Sequence, residues 1–358
     1  MGIVVLHAGI PKAGSSSVQQ WLRMNSTTLR ERHEIFVFVA KCEGTSSLED
    51  KQAAPRVSLT LYQEGSINSG GMVECYLAHD SNKKAIAQGF FEKLDQAASS
   101  YPMVVISGEA FAHLFWRGEE VFLEALEQLA HRHEIRVAYY VRPQHMALEA
   151  AWRQWGFRTG QQPSQYIMER ARHLRYFDTY EAMRQLIPSV CFEPRPFRKD
   201  LMDSGNIVVD FFKRFLDLGD LLAPSVEIWT NRGLPLEIIN LLRKMPKGLL
   251  WHSAHDNSRL NKLKHIVGRL ELSETDKIRK SRCVLQHYCH ETFEEDNLKL
   301  IAALKWKTDH FVPAVGPLPE GLQLDLSALD QLWEPDASEA EIQFLQTLLK
   351  HIFAHDCK

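Results

Sequence analysis

The chain has 358 residues, of which 45% are hydrophobic and 24% charged, and its formal net charge is −3. That balance is the one of an ordinary globular protein. It excludes an extended basic surface for nucleic acid or an anionic membrane, so any anion site must be a local cluster. The six cysteines (42, 75, 191, 283, 289 and 357) include no CxxC pair, which predicts reduced thiols in a cytoplasm. The first apolar run starts at Ile3, which leaves no room for a charged and then apolar leader, and no run approaches the roughly 18 residues of a membrane span. A cytoplasmic protein without a membrane span is expected.

Ile3 to Leu6 is a short β-branched run that reads as a buried strand. Gly9, Pro11 and Gly14 break it, and Ser15 to Ser17 can cap a helix whose apolar positions are Val18, Trp21, Leu22 and Leu29. A strand, a glycine loop and a helix N-terminus together hold phosphate, because backbone N–H groups and the helix dipole point at the anion. A second strand is predicted over 34–40. Residues 41–71 are polar and aperiodic and read as a candidate substrate-binding lid. A helix follows over 84–99, with Ile86, Phe90, Leu94 and Ala97 on one stripe.

Further strands are predicted over 103–107, 135–141 and 189–193, and helices over 120–131, 144–157, 170–186 and 206–216. Strands alternating with helices predict an α/β fold: a three-layer sandwich around a parallel sheet of about five strands, of the P-loop nucleotide-binding type. Ligands in such sheets sit at strand C-terminal ends, where Gly9 to Ser16, Glu109 and Arg142 all lie. From Leu221 the texture changes to helices broken by Pro and Gly (234–244, 257–270, 291–306, 339–354), with Pro313, Pro317 and Pro319 in a connector. Residues 1–220 are read as a nucleotide-binding core and 221–358 as a helical extension of the same module on the acceptor side.

Gly9 and Gly14 have the spacing of the Walker A pattern, G-x-x-x-x-G-K-[ST]. The lysine does not: it stands at position 12, and Ser15 occupies the Walker lysine's place. The third strand ends in Ser-Gly-Glu and carries no Walker-B aspartate, which argues against a P-loop kinase. A lysine moved forward can still cradle a 5′-phosphate, with its ammonium beside whatever that phosphate carries.

The segment Leu6-His-Ala-Gly-Ile-Pro11-Lys12-Ala13-Gly14-Ser15-Ser16-Ser17 resembles the 5′-phosphosulfate loop of sulfotransferases that use 3′-phosphoadenosine 5′-phosphosulfate (PAPS), in their bacterial carbohydrate-modifying form. Tyr139 to Gln154 resembles the family's 3′-phosphate motif, with Arg142 at a strand end. Ala150 stands where the family has a serine, so one hydroxyl contact is missing. Glu193 to Phe212, with Arg195 and Arg198, is similar to a third family segment, and Asn231 to Glu237 to a fourth.

The resemblance implies sulfuryl transfer from PAPS, as co-substrate, to a hydroxyl or amine of a carbohydrate or small-molecule acceptor, with no metal. Pro11 to Ser17 would hold the 5′ end, and Arg142, Arg195 and Arg198 the 3′-phosphate. Lys12 would stabilise the leaving group, while His79 would act as base with Glu109 beside it. His7 reads as a packed histidine facing the core or the loop. Cys283, His287, Cys289 and His290 crowd together, but their spacing fits no zinc pattern. The alternatives are a catalytically silent nucleotide-binding protein on the same fold and, behind it, the kinase.

Overall fold

The computed structural model of this chain describes residues 1–10, 13–43, 55–219, 234–246, 249, 258–267, 275–307, 311, 315–317, 319, 322 and 325–353. By its contacts the chain divides into two units that interleave in sequence. One comprises Met1–Pro143, Arg175–Thr230 and Glu295–Phe311; the other comprises Gln144–Leu174, Asn231–Glu294 and Val312–Lys358. Residues 144–174, expected with the core, thus fall in the second unit, and 295–311, expected in the extension, fall in the first.

The first unit holds a six-stranded sheet: β1 (Ile3–His7), β2 (Ile35–Glu43), β3 (Arg56–Leu61), β4 (Met103–Ser107), β5 (Glu134–Val141) and β6 (Cys191–Pro196), in the order β3-β2-β4-β1-β5-β6. All neighbours pair in parallel except β3, which runs antiparallel to β2 at the edge. Val4, Val5, Val104, Val105, Ile106 and Val137 are fully buried. Continuous apolar runs of this kind belong to strands covered on both faces.

Helices supply the cover. The order of α1 (Ser15–His33), α2 (Gly70–Ala78), α3 (Lys83–Ser100), α4 (Phe111–Arg117) and α5 (Glu120–Ala130) follows the strands they connect. The step from β1 to β2 runs one way across the sheet and the step from β4 to β5 the other. Right-handed crossovers therefore set α1 and α5 on opposite faces. Packing agrees: α1 contacts the helix Ile207–Phe215, with Trp21 stacked on Phe212 at 5.4 Å, while α3 and α5 contact each other.

Three differences from the sequence reading have physical causes. The expected sheet of about five parallel strands gains β3 inside the region read as a lid. Its alternation of Val57, Leu59 and Leu61 with Ser58 and Thr60 was masked by polar flanks; residues 44–54 of the expected lid lie outside the described residues. The helix predicted over 170–186 is two, Pro163–Ala171 and Tyr176–Leu186. The second starts afresh because the buried carboxylate of Asp296 accepts the N–H groups of Tyr176 (2.8 Å), Phe177 (3.1 Å) and Asp178 (3.2 Å). Finally, β6 runs on through Pro194 and Pro196, which an edge strand tolerates because its outer N–H positions need no partner.

The second unit is helical in its described part. Helix Gln144–Ala151 continues through a π-turn at Trp152–Gly156 to Phe157–Thr159, and Trp152 stacks on Trp333 at 5.4 Å. The Asp330 carboxylate accepts both the N–H (2.8 Å) and the hydroxyl (2.7 Å) of Ser164. Among the described residues no helix is long and apolar enough to cross a membrane.

Candidate functional site

Relabelled in chain order, Tyr176–Leu186 is α9 and Ile207–Phe215 is α10, after α6 (Gln144–Ala151), α7 (Phe157–Thr159) and α8 (Pro163–Ala171). The chain leaves β1 toward α1 on one face and leaves the adjacent β4 toward helices of the other. The two loops therefore diverge at the C-terminal end of β1, the general ligand position in open α/β sheets.

Three glycines permit close packing there. A side chain on Gly9 would begin 2.3 Å from Ser15 Oγ. Gly14 is the N-cap of α1 at φ 80°, and a Cβ there would lie 2.7 Å from Ile207 Cδ1 and 2.9 Å from Phe197 Cε2. A Cβ on Gly108 would lie 3.1 Å from the Gly70 amide nitrogen, so β4 and the start of α2 meet there backbone to backbone. The first turn of α1 carries neither an acidic residue nor a side-chain cap. Its positive dipole end is thus not neutralised by a side chain of the helix itself.

Ser15 is 1% exposed, Ser16 and Ser17 are half-buried, and Ala13 closes the loop with a 3.1 Å hydrogen bond to the Ile10 carbonyl. Pro11 and Lys12 lie outside the described residues. His7 ends β1 opposite Ser107 of β4, and its Nδ1 lies 2.8 Å from Ser107 Oγ. Burial pushes the His7 pKa down to about 3, so the ring is neutral.

The guanidiniums enter from the strands on the other side of β1. Arg142 follows β5 directly. Its guanidinium lies 5.8 Å from the centre of the Phe197 ring, the same ring that limits Gly14, so Arg142 and the loop are brought to one side chain. The buried Tyr176 holds the Arg142 carbonyl at 2.8 Å. Arg195, opposite Tyr140 in β6, reaches the fully buried Asp210 of α10 at 3.5 Å. The Asp210 carboxylate also accepts from Tyr140 Oη (2.7 Å), Asp203 N (3.1 Å) and Arg214 Nε (3.0 Å). Arg198 turns away into a two-pronged pair with Asp200 at 3.0 and 3.1 Å.

Glu109 is half-buried in the turn after β4, where its carbonyl accepts the Ala112 N–H. His79 ends α2, a nine-residue helix, and so stands about 13 Å along it from Gly70. Its Nδ1 is 2.8 Å from the Cys75 carbonyl. A carbonyl only accepts, so Nδ1 carries a proton and donates it there. The structure therefore gathers Gly14, Ser15, Arg142 and Arg195 around β1, β5 and β6, and sets His79 on a separate element.

Sequence reasoning passed over Ser107, Phe197, Tyr176 and Asp210 as parts of this arrangement. Asp210 carried a signal: it is the one acidic residue in the apolar run Ile207–Phe215, where a charge needs partners. Ala150, Trp152 and Arg153 belong to the second unit, where Arg153 Nε donates to the Leu234 carbonyl at 2.9 Å. No family model, curated protein or solved structure matches this chain.

Proposed function

We propose that this chain is a PAPS-dependent sulfotransferase built on a P-loop type of α/β sheet, acting on a hydroxyl or amine of a carbohydrate or other small acceptor. The observation that carries the reading is the meeting of Gly14 and Arg142 at the Phe197 ring. An uncapped helix start with a buried hydroxyl and a strand-end guanidinium both approach that ring. A nucleotide anionic at both ends fits such a pair of sites.

In this reading the amides of Gly14 to Ser17 and the Ser15 hydroxyl hold the 5′-phosphosulfate, and Arg142 and Arg195 take the 3′-phosphate. Arg198 would join them only by leaving Asp200. The sulfonucleotide supplies the activated sulfuryl group. The acceptor oxygen bonds to sulfur as the bridging S–O bond breaks, and the electron pair departs with the 5′-phosphate. Lys12 and the loop amides stabilise that charge. His79, whose Nδ1 is engaged by the Cys75 carbonyl, takes the acceptor proton on Nε2, and Glu109 orients the acceptor.

Calorimetric titration with 3′,5′-adenosine bisphosphate, without Mg²⁺, tests the binding half. Tight binding with little affinity for ATP is expected; preference for Mg-ATP, or no nucleotide binding, would overturn the reading. Transfer from labelled PAPS to host polysaccharide and metabolite extracts tests turnover, and Lys12→Ala should reduce it by about 10² or more. Ala150, which lacks the hydroxyl of the family pattern, favours a second reading: a silent nucleotide-binding protein. That reading expects binding of the bisphosphate and no transfer to any acceptor.

A further inference from the structure

His7 is 1% exposed, yet among the described residues its Nε2 has no hydrogen-bond partner. Ser15 Oγ, also 1% exposed, has none among them either. Both atoms face the same spot. A side chain on Gly9 would start 3.2 Å from His7 Nε2 and 2.3 Å from Ser15 Oγ, and glycine supplies none. Buried polar atoms left without partners are costly, and a fold retains them where a ligand completes them.

The tautomer follows from Ser107, which is fully buried. If Nδ1 carried the proton it would donate to Ser107 Oγ and strand the hydroxyl hydrogen in the core. With the proton on Nε2, the hydroxyl donates to Nδ1 across 2.8 Å and no hydrogen is stranded there. The free edge of His7 is then an N–H donor. The Ser15 hydroxyl is a second donor, and the uncapped first turn of α1 adds backbone donors beside them. Each of these described groups can donate, which matches a fully ionised oxyanion.

We propose that His7, its tautomer fixed by Ser107, binds the anionic group held by the β1–α1 loop, its Nε2–H and the Ser15 hydroxyl converging beside Gly9. This deepens the sulfotransferase reading and rests on it for the identity of the nucleotide, though not for the anion itself. His7 serves as a neutral donor: it adds direction to the site without adding charge.

The test is calorimetric titration of the full chain and of His7→Leu, His7→Gln and Ser107→Ala, with inorganic pyrophosphate and with 3′,5′-adenosine bisphosphate as probes. A hydrogen bond to a charged group is worth about 1.5–3 kcal/mol, so His7→Leu should weaken both probes about 10- to 100-fold. His7→Gln, which keeps a donor at similar reach, should stay within about threefold, and Ser107→Ala should fall between. A folded His7→Leu that binds pyrophosphate as the natural chain does overturns the proposal, as does equal weakening by Leu and Gln. If His7→Leu does not fold, an unchanged affinity in Ser107→Ala overturns it. Binding of pyrophosphate but not of the nucleotide removes the sulfotransferase reading and leaves His7 to be judged on the pyrophosphate arm. Binding of neither removes both.

Discussion

The phenol of Tyr140 donates a 2.7 Å hydrogen bond to Oδ2 of Asp210, and neither side chain reaches solvent. Burial, and after it the neighbouring carboxylate, push the Tyr140 pKa well above its ordinary value, so the phenol stays a donor. Tyr140→Phe should cost about 1.5–3 kcal/mol in urea denaturation, because a charged acceptor loses a donor. Asp210→Ala should cost more, about 3–5 kcal/mol, because it leaves Arg195 with an uncompensated buried charge. A loss below about 0.5 kcal/mol for both would mean the cluster does not fix Arg195.

His7 makes stability depend on pH. Its pKa is about 3 in the folded chain against 6.5 as a model group. Between these values the unfolded chain carries more protons at this residue, so stability falls as pH falls from 6.5 toward 3 and is full above 6.5. The slope is up to about 1.4 kcal/mol per pH unit. The loss of stability from pH 7 to pH 5 should be about 2 kcal/mol smaller in His7→Gln than in the natural chain. Equal losses would show that the ring is protonated at its ordinary pKa in the fold.

Gly14 and Gly118 both adopt left-handed backbone, at φ 80° and 58°, but only Gly14 is crowded: nothing lies within 4 Å of a Cβ at Gly118. Gly118→Ala should therefore cost only the conformational term, about 1–2 kcal/mol. Gly14→Ala should add an overpacking term of about 1–3 kcal/mol against Ile207 and Phe197. Because Phe197 would be displaced, the Gly14 variant should also lose affinity for 3′,5′-adenosine bisphosphate, and the Gly118 variant should not. Thermal unfolding and one titration separate them.

Asp296 joins α9 to a distant part of the chain by accepting three backbone N–H groups. Asp296→Ala strips these donors and should cost about 2 kcal/mol or more. Since Tyr176 at the start of α9 also holds the Arg142 carbonyl, hydrogen exchange should rise at Phe177 and Asp178 and at the residues after β5. Protection confined to natural-chain values there would show that α9 starts without this cap.

The local signals were readable where one residue type leaves one option. The apolar run at β1, the turn glycines and the stripe of Val18, Trp21, Leu22 and Leu29 each announced the element found. β3 escaped because its alternation is short and lies in polar flanks. The break before Tyr176 escaped because its cause, Asp296, lies 120 residues away. In the site, Arg142 and Arg195 could be placed at strand ends, but the diversion of Arg198 to Asp200 depends on a turn conformation that propensity does not specify.

Local sequence was enough to place the central strands, most of the helices that cover them and the glycine loop leading from the first strand into the first helix, because hydrophobic period and glycine's missing Cβ act over a few residues. It took the folded sheet to set β4 and β5 beside β1, to bring His7 to Ser107 across 100 residues of sequence, and to bring Gly14 and Arg142 to one phenylalanine. Strand order and such contacts are settled by which apolar faces can be buried together, a property of the whole sheet that no single stretch of chain contains.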